Sequence, residues 1–73
     1  MNMPEKAIEC FQKMISLLPD EPYGYTLLAQ SYEKTGDIEN ALLTYQNLLL
    51  VSPGDSTALQ AVDRLIGELN PKP

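Results

Sequence analysis

The chain is 73 residues long and 44% hydrophobic, with ten acidic side chains against five basic ones and a net charge of −5. That length holds one small domain with a marginal core, since a chain of this size buries only roughly 60% of its unfolded surface. The acidic balance excludes a basic footprint for nucleic acid or anionic membrane, and the longest apolar run, residues 48–51, is too short to span a bilayer; no histidine is available as general base or metal ligand.

The opening MNMPEKAIEC carries charges and no apolar run, so it does not read as a secretory leader. Cys10 is the single cysteine and has no internal disulfide partner, which favours a reducing, cytoplasmic setting. Residues 4–18 place Ala7, Ile8, Phe11, Met14, Ile15 and Leu18 at helical spacing, with Pro4 in the first turn and Pro19 as a stop. Asp20, Glu21 and Pro22 open a second helix that runs to about Thr35, where Gly36 suits the left-handed position past a helix end. A third helix is predicted over 38–51 and ends before Ser52-Pro53-Gly54-Asp55. Asp55 or Ser56 caps a fourth over 56–69, followed by the tail 70–73. No segment alternates apolar and polar residues as a half-buried strand does, so the chain is predicted to be all-α with about four helices.

The chain also repeats itself. Ala7, Phe11 and Pro19 recur 34 residues later as Ala41, Tyr45 and Pro53. The middle reads Tyr25-x2-Leu28-Ala29-x2-Tyr32-x8-Ala41-x3-Tyr45-x7-Pro53, which resembles the tetratricopeptide repeat, with Tyr25, Ala29 and Tyr45 where that pattern has Trp, Gly and Phe. The resemblance implies antiparallel helix hairpins stacked as a right-handed superhelix. Residues 22–55 would be one complete repeat, 4–18 the second helix of a partial repeat, and 56–69 a capping helix in which Leu59, Val62 and Ile66 lie 34 beyond Tyr25, Leu28 and Tyr32. The residue types agree on physical grounds: small Ala29 and Ala41 permit close helix approach, Tyr32 and Tyr45 fill the wedge between helices, and the wide apolar arc of the third helix needs partners on two sides. The plainer alternative is the core of a four-helix bundle with no repeat. Asp63 stands where the repeat would carry a small residue like Ala29, so the last helix is expected to turn a polar back to water. The first helix lacks one natural neighbour, and the whole is expected to be the C-terminal part of a longer array.

Family members of this kind bind an extended peptide or helix in a concave groove, so the resemblance implies a protein-interaction or scaffold role. By that carry-over the groove would be lined by Tyr23, Thr26, Gln30, Glu33 and Lys34 on the second helix and by Thr57, Gln60 and Arg64 on the fourth. A merely solvated helix face is the alternative. The basic clamp with which one subclass grips a C-terminal carboxylate is missing, since Thr26, Leu27, Gln30, Thr57 and Ala61 stand in its places. Cys10, with only Lys6 and Lys13 near it in sequence, is expected to be an inert thiol. The acidic pairs Glu5/Glu9 and Asp20/Glu21 are explained by a solvated helix face and a helix N-terminus. With no phosphate loop, metal-ligand spacing or nucleophile constellation, no enzyme activity, cofactor or metal is expected. The second functional reading is self-association: Ile8, Phe11 and Ile15 would pair the first helices of two chains in a symmetric homodimer.

Overall fold

Two of the three turns between the described helices are one turn used twice, 34 residues apart. In a computed structural model, which describes residues 4–70, the Glu21 N–H donates to the Leu18 carbonyl at 3.1 Å and the Asp55 N–H to the Ser52 carbonyl at 3.0 Å. Each four-residue turn has proline in second place, where its fixed φ is already correct, and each ends on an acidic residue that caps the next helix. The elements so divided are α1 (Pro4–Leu17), α2 (Pro22–Lys34), α3 (Ile38–Val51) and α4 (Ser56–Leu69); among the described residues there is no strand.

Helix ends follow from side-chain oxygens satisfying backbone N–H groups that have no intrahelical partner. The Glu21 carboxylate accepts from the Tyr23 N–H at 3.4 Å, Asp37 from the Asn40 N–H at 3.2 Å, and Asp55, rather than Ser56, from the Ala58 N–H at 2.9 Å. The turn between α2 and α3 is shorter. Gly36 takes φ +81°, its N–H donates to the Glu33 carbonyl, and the Asp37 N–H donates to the Tyr32 carbonyl at 2.9 Å. This is the Schellman arrangement, and it makes Asp37 both the last residue of one cap and the first of the next. Asn70 closes α4, its N–H donating to the Ile66 carbonyl; the rest of the expected tail lies outside the described residues.

The helices pack in chain order, α1 on α2, α2 on α3 and α3 on α4. The buried core is Ala29, Ala41, Tyr45, Leu48, Ala58, Ala61 and Leu65, with Tyr25, Tyr32, Ile38, Leu42, Leu49 and Val62 packed around it. Ala29 and Ala41 are wholly buried, as two facing small residues must be where helix axes come close. The apolar arc of α3 is shared between two partners, α2 and α4, as its width requires.

Two details differ from the sequence reading. Helix α4 meets α3 through Ala58, Ala61 and Leu65, so the positions matching Tyr25 and Tyr32, namely Leu59 and Ile66, are 51% and 44% exposed. Asp63 is exposed, but the back of α4 is apolar around it rather than polar. At the other end Ile8, Phe11 and Ile15 are half-buried and Cys10 faces out, because α1 turns its apolar side toward α2. Gly24 is buried at that contact: a Cβ there would lie 3.2 Å from both Ile15 Cγ1 and Met14 Sδ, so a larger residue would require those side chains to shift.

Candidate functional site

Glu33, in the last turn of α2, organises the surface between α2 and α4. Its Oε2 accepts the Tyr45 hydroxyl at 2.7 Å, and its Oε1 lies 2.8 Å from Nη2 of Arg64. Arg64 also reaches Glu68 one turn along its own helix, Nη1 to Oε2 at 3.2 Å. Three helices therefore meet at one carboxylate. Burial, the hydrogen bond to Glu33 and the charge of that carboxylate all hold the Tyr45 phenol above its ordinary pKa, in that order of size. The Arg64 guanidinium is held firmly charged, chiefly by its hydrogen bond to Glu33.

Beside this network lies a shallow hollow of about 290 Å³ lined by Gln30 and Glu33 of α2, Tyr45 of α3, and Thr57, Gln60, Ala61 and Arg64 of α4. Five of the eight residues expected to line a groove are thus brought together on it: Gln30, Glu33, Thr57, Gln60 and Arg64. Tyr23, Thr26 and Lys34 lie on α2 outside the hollow. Tyr23 and Lys34 are exposed, while the Thr26 hydroxyl is turned back to donate to the Pro22 carbonyl at 3.3 Å. Among the described residues no side-chain hydrogen bond occupies Gln30, Thr57 or Gln60, so two amides and a hydroxyl face the hollow with donors and acceptors free.

Sequence reasoning assigned Tyr45 to packing alone, and its ring is indeed buried. Its hydroxyl role was signalled by tyrosine standing where the repeat pattern has phenylalanine. Glu68 was also missed, although Arg64 and Glu68 are spaced i, i+4.

Two further hollows carry less chemistry. One lies at the α1–α2 turn around Leu17 to Glu21; the other, of about 420 Å³, is lined by Lys6, Glu9, Cys10 and Lys13 on one helix alone. Among the described residues no group of three or more Cys, Asp or Glu side chains is placed to hold a metal ion, and no helix is long and apolar enough to cross a membrane.

Residues 22–55, the segment from the start of α2 to the cap of α4, match the family model for the tetratricopeptide repeat. No curated protein and no solved structure matches the chain.

Proposed function

We propose that this chain, which belongs to the tetratricopeptide repeat family through residues 22–55, is an interaction module that holds an extended segment of a protein partner in the hollow between α2 and α4. The family generally mediates protein–protein interaction and is generally non-catalytic. The observation that carries the reading is the convergence of Gln30, Thr57 and Gln60, from two helices, on one hollow with their polar groups unspent. Such amides donate to and accept from the backbone of an extended peptide without regard to its sequence, while Tyr23 and Thr26 continue the same helix beyond the hollow. Arg64 already neutralises Glu33 and touches Glu68, so the hollow holds no spare cation for a terminal carboxylate. A reducing cytoplasmic setting suits the exposed thiol of Cys10.

A displayed peptide library selected against the protein tests this. A selected peptide should bind the Gln30→Ala/Gln60→Ala protein at least about tenfold more weakly in calorimetry, a difference of about 1.4 kcal/mol, with the circular dichroism of the fold unchanged. Equal affinity for the doubly substituted protein would remove the hollow from the account.

A further inference from the structure

Side chains left open or half-open on the outer helices share a register with side chains packed between α2 and α3, and that register points to what would cover them. Tyr25, Ala29 and Tyr32 of α2 pack into one cluster with Ala41 and Tyr45 of α3. Thirty-four residues on, the same face of α4 carries Leu59, Asp63 and Ile66. Among the described residues it is left open, with Leu69 continuing it one turn later. Helix α1 shows the reciprocal condition. It bears Ala7 and Phe11 where α3 bears Ala41 and Tyr45, yet Ala7 and Phe11 stay half-exposed while Ala41 and Tyr45 are buried. One outer helix lacks a cover of the α3 pattern, and the other offers one.

We infer that α4 of one copy takes α1 of a second copy, head to tail, and that the pair completes between two chains the helix contact that α2 and α3 complete within one. A reciprocal change in the polar groups agrees with this. Inside the chain the Tyr45 hydroxyl donates to Glu33. The residue 34 before Tyr45 is Phe11, without a hydroxyl, and the residue 34 after Glu33 is Gly67, without a carboxylate. Neither half of that hydrogen bond would be buried alone at the junction.

Asp63 opposes the contact. It stands where Ala29 is wholly buried, and a carboxylate at a small-residue crossing resists desolvation, so the association is weak. The contact is heterologous: each copy that docks leaves a free α1 at one end and a free α4 at the other, so growth does not stop at a dimer. This inference is independent of the groove, which lies on a different face of α4 through Thr57, Gln60 and Arg64.

Sedimentation equilibrium up to about millimolar protein should show the average mass rising with concentration past the dimer, and Asp63→Ala should tighten association at least about tenfold. Leu59→Glu/Ile66→Glu, at two exposed positions, should remain folded by circular dichroism and become monomeric. Ala7→Glu should also be monomeric. Mixing these two proteins should restore a 1:1 complex, because each keeps the face the other has lost. A wild-type monomer at about millimolar protein overturns the inference, whatever Asp63→Ala does. So does a Leu59→Glu/Ile66→Glu protein that still associates, which would point to symmetric pairing of α1 through Ile8, Phe11 and Ile15. If Ala7→Glu does not fold, the doubly substituted protein decides alone.

Discussion

Ala41 has no room to grow. It is wholly buried opposite the equally buried Ala29, and three more side-chain carbons there would push α2 and α3 apart or force strained rotamers. Ala41→Leu is expected to cost about 1–3 kcal/mol, and a urea midpoint within error of wild type would refute the packing. Tyr45 joins a buried ring to a partnered hydroxyl, so Tyr45→Phe keeps the packing and loses about 0.5–1.5 kcal/mol. The same phenol gives stability an alkaline limit. Its pKa is raised on folding, so below its ordinary value of 10.0 it is protonated in both states and its contribution is complete. Above that the unfolded phenol ionises first, the unfolded state gains, and stability falls until the folded phenol also loses its proton. Urea midpoints at about pH 9 and about pH 11 should therefore fall more for wild type than for Tyr45→Phe. A parallel fall in both would show that Tyr45 is not the group responsible.

At the scale of the helices, the two glycines of interest act in opposite directions. Gly36 has φ +81° in the turn that ends α2, so Gly36→Ala must hold an L-residue in the left-handed region at a cost of about 1–2 kcal/mol. Gly67 lies inside α4 with open space around a built Cβ, so Gly67→Ala should gain up to about 1 kcal/mol from helix propensity. Thermal melts of the two proteins should move to opposite sides of wild type. A gain for Gly36→Ala would mean that the cap is not formed as described.

These elements were the most legible part of the chain. Proline, the capping acids and Gly36 mark each helix end in the sequence, and the expected limits lie within about one residue of those observed. Which face of α4 turns inward was less legible. Leu59, Val62 and Ile66 all look like core residues by apolarity, but only Val62 packs against the core. Ala58, Ala61 and Leu65 take the buried contact in place of Leu59 and Ile66. The Glu33 network was partly hidden for a related reason. Arg64 and Glu33 are 31 residues apart, and only the 34-residue stacking that sets α4 near α2 makes them neighbours.

For the whole molecule, stability and association should separate at Asp63. Its carboxylate is exposed within one chain, so Asp63→Ala should shift folding stability by no more than about 0.5 kcal/mol while it strengthens contact between chains. A larger loss of stability would mean that Asp63 supports the fold itself. The central claim, that a partner segment lies between α2 and α4, is met most directly by mapping backbone amide shifts in the protein as a selected peptide is titrated in. The account predicts that the largest changes fall on Gln30, Glu33, Thr57, Gln60 and Arg64, with the outer face of α3 around Leu43 and Leu50 undisturbed. Changes confined to that outer face, or to Ile8, Phe11 and Ile15 on α1, would contradict it.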